Sequence, residues 1–186
     1  MTFPRLLTLN DTKGVRIMNA RMMGWIVAAM LLVAAGCNDK EQVEQPAIDG
    51  TPYLLTSQPV DSVEVKELLD QAKDGDEVVV IGRIGGEKNP WVEGLAMFNI
   101  VDNSLVPCNE IPGDKCPFPW DYCCATDLAT SRTTVEVVDT NGKTVQEDAR
   151  RLLRVTELQT VVVKGTARRD EDGNVTLIAT GIFVQP

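Results

Sequence analysis

Four cysteines crowd the stretch CNEIPGDKCPFPWDYCC, at Cys108, Cys116, Cys123 and Cys124. Thiols placed so close together support three chemistries. They bridge as disulfides, ligate a soft metal as thiolates, or cycle between thiol and disulfide. A bridge between the neighbours Cys123 and Cys124 would close a small, strained ring. The expected disulfides therefore join one of that pair to Cys108 and the other to Cys116. Closing a loop of about 15 residues stabilises a fold by roughly 3 kcal/mol in the chain-entropy picture. Zinc knuckles bring their cysteines in C-x₂₋₄-C pairs, whereas the spacings here are eight, seven and one. No C-x-x-C sets an attacking thiol beside a resolving one. Disulfide bonding is thus the expected state of all four, and no metal ligand or cofactor is assigned. A metal- or redox-handling protein working through Cys108, Cys116, Cys123 and Cys124 is the alternative.

The same stretch carries Phe118, Trp120 and Tyr122, alternating with prolines and cysteines. Aromatics on a surface loop make good anchors for a partner; turned inward, they form a lid on the end of a core. Glu110, Asp114 and Asp121 offer oxygens that could ligate calcium, but their spacing is not that of an EF-hand loop. Acidic residues beside prolines more simply start turns.

The sequence contains no histidine. That removes histidine-dependent nucleophile activation, histidine acid–base catalysis and every mixed Cys/His metal site. The serines sit in no nucleophile elbow, GRIGG lacks the spacing of a dinucleotide fingerprint, and no carboxylate pair is singled out. No catalytic residue is assigned, and the chain is expected not to be an enzyme.

The amino-terminal part places these cysteines in a compartment. Arg16 and Arg21 precede an apolar run from Trp25 to Ala35, which ends in small residues at Cys37. This is the charge, apolar core and small-residue order of a secretory signal, too short for an ordinary membrane span. Met18 would give a more compact start than Met1. Ala34-Ala35-Gly36-Cys37 resembles the lipobox of bacterial lipoproteins, with alanine where leucine is favoured. The resemblance implies cleavage before Cys37, a diacylglyceryl thioether on its sulfur and usually an acylated new amino terminus. Several acyl chains grip a membrane far more firmly than one. The expected location is the cell membrane or outer membrane, lipid-anchored and facing the periplasm or exterior, where disulfides persist.

Residues 1–36 are thus read as the signal peptide, 37–60 as an acidic tether and 61–186 as one domain with a cysteine-rich insertion at 104–130. Four of the 18 basic and one of the 27 acidic residues lie in the signal, leaving 14 basic and 26 acidic residues, a side-chain charge of −12. Such a charge repels phosphate backbones, so nucleic acid is not an expected partner. The arginines at 150, 151, 154, 168 and 169 read as solvated faces balancing nearby acids.

Within the domain, a helix is expected from about Ser62 to Lys73, capped by Asp61 or Ser62, with Val63, Leu68, Leu69 and Ala72 as its apolar stripe. The period then changes to two. Strands are expected at 78–86, 95–103, 133–147 (a hairpin turning at Asn141-Gly142 in a type I′ geometry that pairs Val138 with Val145), 159–169 and 174–184, with a short helix at 148–155 and a second hairpin at Asp170–Gly173. This mainly β order resembles a small OB-fold-like five-stranded barrel with a leading helix and one short internal helix. Together with the lipobox, the Gly-rich first strand and PWDYCC, it is similar to exported bacterial proteins that carry no known activity. The expected function is a membrane-anchored, non-catalytic binding domain for an envelope partner, whether protein, peptide or glycan.

Cys37→Ser is expected to abolish incorporation of labelled palmitate and to leave a larger, uncleaved precursor on gels. Normal labelling of the variant would remove the lipoprotein assignment.

Overall fold

The structure is a computed structural model, and it describes residues 48–186. The signal, Cys37 and the expected tether up to residue 47 lie outside the described residues. Among the described residues, no helix is long and apolar enough to cross a membrane.

The chain is mainly β. A two-residue strand β1 (Val63–Glu64) leads into helix α1 (Val65–Gln71), followed by β2 (Glu77–Ile84), β3 (Met97–Val101), β4 (Arg132–Val137), helix α2 (Ala149–Leu153), β5 (Thr160–Arg169) and β6 (Val175–Val184). The hydrogen-bonded order is β1-β2-β3-β4-β6-β5, and β5 returns to β2 to close the barrel. Counted from β2, the five barrel strands run one-two-three-five-four and back to one. β4 and β6 are parallel, while every other barrel pair is antiparallel. With a helix between the third and fourth strands, this is the expected OB-like barrel.

Period-two patterning builds the core. Val80 and Ile84 of β2, Phe98 and Ile100 of β3, Val135 and Val137 of β4, Val161 and Val163 of β5, and Leu177 and Ala179 of β6 are all buried. Val65 and Leu68 of α1 and Leu152 and Leu153 of α2 join the same core. β5 and β6 change register between Lys164 and Gly165. A Cβ on Gly165 would stand 2.0 Å from the Ile178 carbonyl oxygen, so this bulge accepts no side chain there.

Several local expectations shift. The helix begins at Val65 rather than Ser62, because Val63 and Glu64 pair in parallel with Val80 and Ile81 of β2. The apolar stripe is accordingly Val65, Leu68, Leu69 and Ala72, at true helical spacing. Neither Asp61 nor Ser62 caps it. The cap is Asp102, just beyond β3, whose Oδ2 accepts from the Lys66 amide at 2.7 Å. At the other end, Arg169 of β5 donates to the Leu69 and Ala72 carbonyls at 2.7 and 3.0 Å. This arginine closes a helix instead of decorating a solvated face. α2 behaves as its sequence suggests, with Asp148 accepting from the Arg150 amide at its N-cap.

The Asn141-Gly142 loop is not a type I′ turn. Gly142 has positive φ and Asn141 does not, and Val138 bridges Thr144 instead of Val145. The Asp139 carboxylate explains this. It accepts from the Asn141 and Lys143 amides, an Asx turn that fixes the loop from within. Asp170 does the same for Asp172 and Asn174 in the second hairpin. Part of the expected tether also lies on the barrel: Leu54 bridges Ile182, and Tyr53 and Leu54 pack against the core.

Asp102 is 2 % exposed. Burial works to raise its carboxyl, but the Ser104 hydroxyl, the Lys66 and Ser104 amides and the Lys66 charge outweigh it and hold it below the usual carboxylate range. A depressed folded pKa contributes stability that is present above the unfolded value of about 3.9 and is lost as pH falls through the folded one. Asp102→Asn is expected to cost about 1–3 kcal/mol at neutral pH. The deficit should shrink below about pH 4 in chemical-denaturation curves; a pH-independent deficit would refute the capping-carboxylate account.

Candidate functional site

The insertion between β3 and β4 has little regular structure beyond two short 3₁₀ turns, Cys108–Glu110 and Leu128–Thr130. Hydrogen bonds shape it. The Cys108 amide donates to the Asp121 carbonyl at 2.9 Å and the Asn109 amide to the Pro119 carbonyl at 3.1 Å, which draws the two arms together. Cys123 and Cys124 form the centre of a turn closed by the Ala125 amide on the Tyr122 carbonyl at 2.8 Å. Asp114 Oδ1 accepts from the Cys116 amide at 2.8 Å, the turn-starting role expected of it.

The loop lies against the end of β2. The Gly86 amide donates to the Trp120 carbonyl, and a Cβ on Gly85 would come within 2.7 Å of that same oxygen. Glycine is therefore required where the insertion touches the barrel. The three aromatics divide. Tyr122 is 1 % exposed and acts as an inward lid, so it presents no face to a partner. Phe118 and Trp120 stay half-buried, edge to face with centroids 6.2 Å apart. Lys88 lies 5.7 Å from the Phe118 centroid, and its carbonyl accepts from Trp120 Nε1.

All four loop cysteines are unbridged in this structure. They are nonetheless brought together. Cys108 Sγ and Cys123 Sγ are 3.5 Å apart, a contact and not a bond, for which about 2.05 Å is needed. Cys108 is buried, Cys116 half-buried, and Cys123 and Cys124 exposed. Burial, with the neighbouring Cys123 and Cys116 thiols, pushes the Cys108 thiol up to about 12. For Cys123, the hydrogen bond with Cys108 works to lower the pKa, but desolvation and the Cys124 and Cys116 thiols outweigh it and raise it.

A second surface escaped the sequence reading. Asn99 of β3, Thr134 of β4 and Thr176 of β6 are register partners in one row across the sheet. They alternate with the buried Phe98, Val135 and Leu177, so the row faces outward. Thr134 Oγ1 donates to Asn99 Oδ1 at 2.9 Å. The row lines a groove of about 750 Å³, bordered by Glu87 and Val92 from the β2–β3 loop and by Gly173 and Asn174 from the β5–β6 loop. On the rim, Lys66 pairs with Asp127 at 2.9 Å and Arg132 with Glu87, while the exposed Asp70 has no ion-pair partner among the described residues. The available signal was the element order itself, since OB barrels offer ligands the face of their second and third strands between those two loops. Comparison with protein-family models and with curated proteins returns no match.

The Tyr122 hydroxyl is buried without a hydrogen-bond partner. Its ring is then the stabilising part. Tyr122→Phe is expected to leave stability within about 1 kcal/mol of the parent, while Tyr122→Ala should cost about 3–5 kcal/mol. Equal losses in thermal unfolding would show that the hydroxyl, and not the ring, secures the loop.

Proposed function

We propose that this chain is a membrane-anchored lipoprotein whose barrel is a non-catalytic binding module for a polar, weakly charged envelope partner, either a glycan or an extended peptide. The observation that carries this reading is the outward row Asn99, Thr134 and Thr176 in a groove whose basic rim residues, Lys66 and Arg132, are already paired. Amide and hydroxyl groups give and accept hydrogen bonds without demanding a charged ligand. The lipobox-like Cys37 supports the anchor, and the absence of histidine supports a non-catalytic role. Nucleic acid fits poorly. Trp91 is buried, and Phe118 and Trp120 stand in the insertion, so the groove offers no aromatic platform on which bases would stack.

Photo-crosslinkers placed at Asn99 and Thr176 are expected to capture a partner in intact cells. A crosslinker at the exposed Lys164 on β5 is not. In parallel, purified cell-wall glycan should co-sediment with the chain, and Asn99→Ala combined with Thr134→Val should weaken that binding about tenfold or more, the loss of one to two hydrogen bonds. Capture from Lys164 alone, or glycan binding indifferent to the double variant, would rule out the groove as the contact face.

A further inference from the structure

We propose that Cys108, Cys116, Cys123 and Cys124 together hold one zinc ion, or another soft divalent cation of the same preference, in a four-sulfur site. Cys123 is the hub. The sulfurs of Cys108, Cys123 and Cys124 all lie within 4.8 Å of one another, and Cys116 Sγ, an Asp121 carboxylate oxygen and Cys123 Sγ form a second such group. Sulfurs about 2.3 Å from a tetrahedral zinc stand about 3.8 Å from each other. The 3.5 Å contact of Cys108 with Cys123 is close to that value and far from a bond. Two independent disulfides need only two close pairs. A single ion needs all four sulfurs mutually close; Cys108, Cys123 and Cys124 already are, and Cys116 adjoins them through Cys123.

Each ligand is already held in place. Cys108 is fixed by its amide on Asp121, Cys116 by its amide on Asp114, and Cys123 with Cys124 by the turn that Ala125 closes. Sequence spacing argued against zinc because no C-x₂₋₄-C knuckle is present. The paired arms 107–109 and 119–121 supply in space the proximity that a knuckle supplies in sequence. Asp114 adds a second observation. Its Oδ2 is buried and has no partner, an acceptor left beside the turn that carries Cys116. A buried carboxylate oxygen without a donor is costly, and a nearby cation relieves it.

Binding is balanced without an oxidant: one Zn²⁺ enters, four S–H bonds break, four Zn–S bonds form and four protons leave to solvent. The competing chemistry, two disulfides from the same sulfurs, needs an acceptor for four electrons. The site uses none of the residues that line the groove, so it stands or falls separately from the binding role proposed for the barrel.

The test uses the full chain carrying Cys37→Ser, so that only the four loop thiols remain, purified with reductant and then freed of it. Titration with Co²⁺ is expected to reach one equivalent per chain and to give the visible bands of tetrahedral cobalt thiolate, which one equivalent of Zn²⁺ should bleach. Alkylation should find the exposed Cys123 and Cys124 reactive before Zn²⁺ and protected after it. Cys123→Ser should weaken binding by more than the roughly 10–100-fold that loss of an outer-shell partner costs. Because Cys123 is exposed, unfolding of its metal-free form should match the parent, which separates loss of a ligand from loss of the fold. The proposal is overturned if cobalt gives no thiolate bands, or if Cys123→Ser binds as the parent does. It is equally overturned if the wild-type chain, isolated from membranes without reductant, contains two disulfides and no metal.

Discussion

Closure of the barrel by β2 and β5 is the constraint on which the other features rest. β2 pairs with β5 from Glu77 to Arg83, and at its far end Arg83 and Ile84 also pair with β3. A strand shared in this way has to coil, which its small Gly82 permits against Val65 and Ile100. Closure leaves no long barrel edge to pair with another chain. It also locks the register. Because side chains alternate, a slip of one residue would bring Asn99 and Thr134 inward and turn Phe98 and Val135 out to solvent. The groove's polar row is thus the outer half of the same pattern that packs the core.

Alternation and turn chemistry made most of this architecture readable from sequence. The barrel strands, the short helix α2 and the β5–β6 hairpin fall where residue types alone place them. The departures share one cause, which is that the deciding group is remote in sequence. Asp102 sets the start of α1 from the end of β3, and Arg169 closes it from the end of β5. Local reading finds Asp61 or Ser62 as the cap because it searches within one turn of the helix. Leu54 looked like tether because a polar, proline-bearing stretch surrounds it, yet its partner is Ile182 at the far end of the domain. At Asn141-Gly142 the failure was different. The dipeptide suggested one turn type, but the carboxylate two residues earlier offered stronger local hydrogen bonds.

The candidate surfaces were legible to unequal degrees. The cysteine loop announced itself by composition, and the structure adds which aromatic turns inward: Tyr122 is a lid, whereas Phe118 and Trp120 keep some exposure. The groove is made largely of threonines, asparagines and a few charges, each of which is ordinary surface when read singly. It becomes a surface with a direction only when register places Asn99, Thr134 and Thr176 in line.

The insertion at 104–130 raises the question of what keeps so long a loop in one conformation. Connections beyond about 12–15 residues without regular structure are uncommon in small domains, and ordering each residue costs about 1–2 kcal/mol of backbone entropy. The contacts found here are few for that cost: the buried ring of Tyr122, the Trp120 carbonyl on Gly86, an exposed pair of Arg83 with Glu110 at 2.7 Å, and Lys66 reaching Asp127. Exposed ion pairs contribute 0–1 kcal/mol each, as a rough median. Tyr122 anchors the middle of the loop, and the Cys108 and Asn109 amides tie the 108 arm to the Asp121 and Pro119 carbonyls. A covalent or coordinate link at the cysteines would add the strongest tie between that arm and the 123–124 turn. Such a link would hold Phe118 and Trp120 on the surface with part of their conformational entropy already lost, the condition under which aromatic anchors bind most favourably.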